Sequence, residues 1–133
     1  SSSGTDIAQA LQYFSNAQKR HCTAFVISDF IGLKGLEKPL LVASNRHDVK
    51  AIQIYDRRET EIPNVGLVKF RDAETRKDLW IDTAIASVRE QYANEWKKNQ
   101  DIKDQLFTRT GVKSVSVRTD EDYVKALMQL FKC

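Results

Sequence analysis

Thr23-Ala24-Phe25-Val26-Ile27 carries β-branched, aromatic or small apolar side chains with no alternation. That pattern predicts a strand buried on both faces, as in a parallel sheet. Ser28 and Asp29 follow, so a carboxylate falls at the strand's carboxyl end, where ligands of open parallel sheets sit. A carboxylate in that position also serves as a cap for the next turn, and the stretch alone leaves both roles open. Upstream, Ile7, Leu11 and Phe14, with Ala10 and Ala17, recur at helical spacing. Thr5 or Asp6 supplies an N-cap for this helix, and Lys19 and Arg20 close it with charge that suits the dipole.

The pattern downstream alternates between the two periods. A loop with Gly32 and Gly35 leads to a helix over 36–46, with Leu40, Leu41 and Ala43 inward and Pro39 in its first turn. A second strand over 49–55 admits some solvent at Lys50 and Gln53. Residues 65–70 and 78–81 form a hairpin around a polar loop that Asp72 starts. Asp82 and Thr83 open the longest helix, over 84–109, whose inner face runs Ile85, Val88, Tyr92, Trp96, Lys103, Leu106. Lys103 there needs its stem buried and its head out. Gly111 ends that helix, a strand over 112–118 alternates valine with serine at a wet sheet edge, and a capping box at 119–122 opens a last helix. Tyr123, Leu127, Leu130 and Phe131 form its stripe. Strands alternating with helices predict right-handed crossovers, and hence an α/β fold with a mostly parallel sheet and helices on both faces.

Length and charge narrow the function. The chain has 133 residues, one domain's worth, and its net charge of +3 is spread without a basic arm or stripe. No nucleic-acid partner is expected, and no apolar run reaches the length of a membrane span. The two cysteines, Cys22 and Cys133, have neither framework nor metal-ligand spacing, so a cytoplasmic setting is expected. Neither His21 nor His47 stands at a telling distance from a nucleophile, and His47 reads as a capping or surface residue. No phosphate-binding loop, dinucleotide fingerprint, nucleophile elbow or zinc-binding helix motif occurs. Asp56-Arg57-Arg58-Glu59, at a second strand end, reads as a solvated loop of ion pairs or as a possible interaction surface. The hydroxyl of Thr5 and the carboxylate of Asp29 would together make half of a site for a hard divalent ion.

Gly4-Thr5-Asp6-Ile7 and Phe25-Val26-Ile27-Ser28-Asp29-Phe30 resemble the second and third motifs of a von Willebrand factor A-type domain. From Thr5 to Lys132 the chain resembles the C-terminal half of the bacterial family called domain of unknown function fifty-eight. Tyr55-Asp56-Arg57-Arg58-Glu59-Thr60, Asp72-Ala73-Glu74-Thr75, Trp80-Ile81-Asp82-Thr83 and Thr119-Asp120-Glu121-Asp122-Tyr123-Val124 carry that resemblance in order. It implies a partial Rossmann-like sheet whose first strands are missing, behind a flexible leader at 1–4, with 5–133 the C-terminal part of the domain. It also implies a metal-ion-dependent adhesion site for Mg²⁺ or Mn²⁺, with Thr5 and Asp29 as two of its ligands. The D-x-S-x-S run that would complete the site is absent, and Arg76 stands where the family often has glycine.

The function so implied is a non-enzymatic protein-interaction domain that works with a MoxR-type AAA+ ATPase. The open edge of the strand over 23–28 adds the expectation of a homodimer or swapped element. Two alternatives stand beside it. One is a scaffold whose metal site is vestigial. The other is a Mg²⁺-dependent enzyme acting on a phosphorylated substrate through Asp29, Asp56, Arg57 and Arg58.

Overall fold

The computed structural model of the chain describes residues 4–71 and 75–130, with side chains from residue 7 onward. Its elements are α1 (Gly4–Ala17), β1 (Thr23–Ser28), α2 (Glu37–Arg46), β2 (Asp48–Tyr55), α3 (Arg57–Thr60), β3 (Leu67–Arg71), β4 (Asp78–Asp82), α4 (Ala86–Thr110), β5 (Lys113–Arg118) and α5 (Tyr123–Leu130). β1, β2 and β5 form a parallel sheet with β2 in the centre, and β3 and β4 form a separate antiparallel hairpin. The fold is α/β, as the alternation of periods predicts.

The register assigns the faces. Val49 and Ala51 of β2 point into the main core, where they meet Ile7 and Leu11 of α1, Leu40 and Ala43 of α2, and Leu106 and Phe107 of α4. Lys50 points the other way, and its ammonium donates to the Leu130 carbonyl of α5 at 2.8 Å. Helices therefore cover both faces, three on one and α5 on the other. Gly111 caps α4 in the left-handed conformation (φ 73°), which removes the usual penalty of a side chain there.

Several expectations are corrected. β1 is not buried on both faces: Phe25 and Ile27 are 44% and 60% exposed, because β1 is an edge strand and α5 packs chiefly on β5. The inward positions of α1 include Ala8 and Ser15, while Ala10 and Ala17 face solvent. The helix stops at Ala17, so Lys19 and Arg20 lie beyond it, and it begins at Gly4. Leu41 and Ile85 are exposed, and Phe107 takes a core place beside the expected inner face of α4. Residues 56–60 form a capped helical turn instead of a loop. The cap of α5 falls on Asp122, whose Oδ1 accepts the Val124 N–H at 3.0 Å. The expected role of Phe131 and the turn at Asp72 lie outside the described residues.

The polar residues in strands differ most from expectation. Gln53 is buried, and so is the head of Lys103, whose ammonium donates to Gln53 Oε1 at 2.7 Å and Ser116 Oγ at 3.2 Å. The serine face of β5 thus meets α4 through a polar network, not through open water alone. His47 is the C-cap of α2, as a capping residue would be, its N–H donating to the Ala43 carbonyl at 2.8 Å. Its ring, however, is buried and tilted against Phe14, with Nδ1 accepting the Cys22 N–H at 3.2 Å.

Candidate functional site at the sheet rim

β1 and β2 run parallel, so their carboxyl ends reach the same rim. At the end of β1 the chain turns sharply: Ser28 Oγ accepts the Phe30 N–H at 3.0 Å, and Asp29 Oδ1 accepts the Ile31 N–H at 3.1 Å. Phe30 adopts a positive φ of 55°, unusual for an aromatic residue. Its buried ring, edge-on to Phe107 at 5.1 Å, holds that conformation in place. The Asp29 carbonyl in turn accepts from Gln53 Nε2 at 3.2 Å. The turn that displays Asp29 is therefore fixed from three sides.

At the end of β2, Asp56 caps α3. Its Oδ1 accepts the Arg58 N–H at 2.8 Å, and Glu59 Oε1 accepts the Asp56 N–H at 3.3 Å, a reciprocal cap. Burial pushes the Glu59 carboxyl above its ordinary range; the hydrogen bond from the Asp56 backbone opposes this, and the charges of Asp29 and Asp56 add to it. Glu59 Oε2 is buried without a partner. Three carboxylates thus share this rim. Burial first, and the Glu59 charge second, also raise the phenol of Tyr92, whose hydroxyl donates to the Arg58 carbonyl at 3.0 Å. Farther along, Arg118 donates to Asp120 at 2.5 Å and holds that carboxyl below the usual range.

Asp29 and Asp56 are both near enough for their charges to act on Glu59, a residue absent from the expected site. Its signal was the D-x-x-E spacing of a cap. The guanidiniums do not converge on the carboxylates: Arg57 turns to Glu61 at 3.4 Å, and Arg58 is exposed. Thr5 lies in the first turn of α1, and its side chain is outside the described part.

The family described as "Protein of unknown function DUF58" matches residues 1–102. The chain belongs to the DUF58 family. An uncharacterized protein of Mycobacterium avium is 30% identical over 96% of the DUF58 chain and 75% of its own length. An uncharacterized protein of Mycobacterium tuberculosis is 30% identical over 93% of the DUF58 chain, which spans 39% of that relative. A solved structure, an uncharacterized membrane spanning protein from Vibrio fischeri, aligns with 96% of the chain and 52% of its own, at 18% identity and a TM-score of 0.29. That similarity is too low to carry an argument. No helix among the described residues of the DUF58 chain is long and apolar enough to cross a membrane.

The rim does not by itself fit a metal ion. Among the described residues no group of three His, Cys, Asp or Glu side chains could hold one. Asp29 has one oxygen committed to the Ile31 amide, and Mg²⁺ requires oxygen ligands in near-octahedral array. A metal site there would need ligands beyond the described side chains.

Proposed function

We propose that this DUF58 chain is a non-enzymatic protein-interaction module of von Willebrand factor A type, and that the Asp29–Asp56 rim is its docking face. The observation that carries the reading is the rigidity of that rim: the Asp29 turn and the Asp56 cap are each held by several hydrogen bonds, and the neighbouring Ser28 hydroxyl is itself taken up in the turn. An enzyme acting on a phosphorylated substrate is less well supported, since Arg57 is engaged with Glu61. The partner class taken from the resemblance is a MoxR-type AAA+ ATPase. Mg²⁺ or Mn²⁺ dependence belongs in this reading to a longer protein that supplies the other ligands.

The test is interferometry of the chain against the MoxR-type ATPase of the same source, with Mg²⁺ and with EDTA. Asp29→Ala and Asp56→Ala are expected to weaken binding at least tenfold. Binding that neither substitution alters would remove the rim as the docking face. The shortage of ligands at the rim favours a second reading, a scaffold with a vestigial metal site, in which binding persists undiminished in EDTA. Self-association through the β1 edge is part of the same proposal, because β1 pairs only with β2 among the described strands and exposes Ile27. Light scattering that finds a strict monomer at high concentration would sink that part.

A further inference from the structure

The β3–β4 hairpin has a free edge, and its polarity can be read from one hydrogen bond. Thr83 N–H donates to Gly66 O at 2.9 Å, and these residues continue the register that pairs Leu67 with Asp82. Bonded and non-bonded pairs alternate along an antiparallel ladder. Val68–Ile81 and Phe70–Leu79 are therefore the bonded pairs, and Trp80, opposite Lys69, directs its N–H and C=O away from β3. Among the described residues β4 pairs with β3 alone, so those groups face outward on an unclaimed edge.

What lies beside that edge is an apolar groove, not open water. It measures about 380 Å³, with Trp80 and Ile81 on the strand side and Ile85, Val88 and Tyr92 of the α4 segment opposite. Ile85 is 48% exposed and Trp80 64%, unusual for such large apolar side chains. The carboxylates of Asp82 and Glu95 also line the groove, and no basic side chain does so among the described residues. A strand edge facing a helix across an apolar floor is the geometry of β-strand addition, in which main-chain bonds give affinity and alternate side chains give specificity.

We propose that the β4–α4 groove binds an extended peptide segment of a protein partner, one with alternating apolar side chains and basic residues at its ends. The peptide's backbone bonds to Trp80, its apolar side chains rest on Ile85 and Val88, and its basic ends meet Asp82 and Glu95. This proposal rests on the reading that the chain binds protein, but not on the Asp29 rim.

The test uses a capped peptide, Lys-Val-Thr-Ile-Thr-Val-Lys, followed by tryptophan fluorescence and amide shifts of the whole chain. A second peptide carries glutamate in place of both lysines. Two further isomers are N-methylated on alternate amides, one for each edge. Saturable binding of the basic peptide is expected, weakened at least tenfold by Glu95→Lys and by methylation of one edge. Trp80→Pro, which removes an outward N–H that the hairpin ladder does not use, is expected to act like the methylation. Asp29→Ala is expected to leave binding unchanged, which separates this groove from the rim. No saturable binding, equal binding of the acidic peptide, or full binding of both methylated isomers would overturn the proposal. So would loss of binding in a folded Asp29→Ala variant, or a homodimer that Trp80→Pro dissolves, since a second copy would then occupy the edge.

Discussion

Lys103 Nζ lies 2.7 Å from Gln53 Oε1, and this contact joins the longest helix to the central strand in a nearly dry space. Gln53 passes the connection on, since its Nε2 donates both to Gln100 Oε1 at 2.8 Å and to the Asp29 carbonyl. A buried ammonium is stable only while its hydrogen bonds are kept. Gln53→Leu removes the closest acceptor and leaves Ser116 and the exposed Asp104 to serve the charge. A loss of about 2–4 kcal/mol is expected in urea unfolding. The double variant with Lys103→Met is expected to recover much of it, because the charge leaves together with its partner. A double variant no more stable than Gln53→Leu would show that the contact matters little.

Phe107 supports the Asp29 turn through the ring of Phe30. Phe107→Ala opens a cavity in the main core and is expected to cost about 3–5 kcal/mol. Because Phe30 has a positive φ, the loss of its ring partner is also expected to loosen the turn. Faster amide exchange at Ile31, beyond that at Val49, would report the local effect; equal change at both would confine it to global stability.

The Glu59 carboxyl has a raised pKa in the folded chain, so the folded state holds its proton more tightly than the unfolded state does. Stability from this group therefore falls as pH rises from the ordinary carboxylate value through the raised folded value, and is recovered on acidification across the same window. Glu59→Gln keeps an oxygen for the Asp56 amide and removes the charge. The variant is expected to melt about 2 °C higher at neutral pH, a small gain because the site is partly solvated. Its melting point is expected to vary less with pH just above the carboxylate range. A variant that melts lower at neutral pH, with an unchanged slope, would contradict this.

Gly111 stops α4 at φ 73°, and a Cβ there would meet nothing within 4 Å. Gly111→Ala therefore costs backbone strain alone, about 1 kcal/mol, read from the urea midpoint at unchanged slope. A much larger loss would mean that the cap also controls how β5 enters the sheet.

How much of this was written in the chain depends on the range of the forces involved. The order of strands and helices follows from local periodicity, so α2, β2, the hairpin and α4 stand close to where the apolar spacing puts them. Asp29 at a strand end and Gly111 at a helix stop are legible for the same reason: each rests on its immediate neighbours. Arg76 shows the limit of that reading. It stands where the resemblance implies glycine and adopts a positive φ of 60°, a departure visible in the sequence but with no cause stated there. Only the tertiary structure decided which polar groups go inside. Lys103, Gln53 and His47 look like solvent residues one at a time, and are buried because distant partners satisfy them. Glu59 joins Asp29 across the rim because β1 and β2 run parallel, a pairing between residues far apart in sequence. The groove exists because residues of β4 and of the α4 segment, from Trp80 to Glu95, line one hollow, and no period in the sequence records that approach.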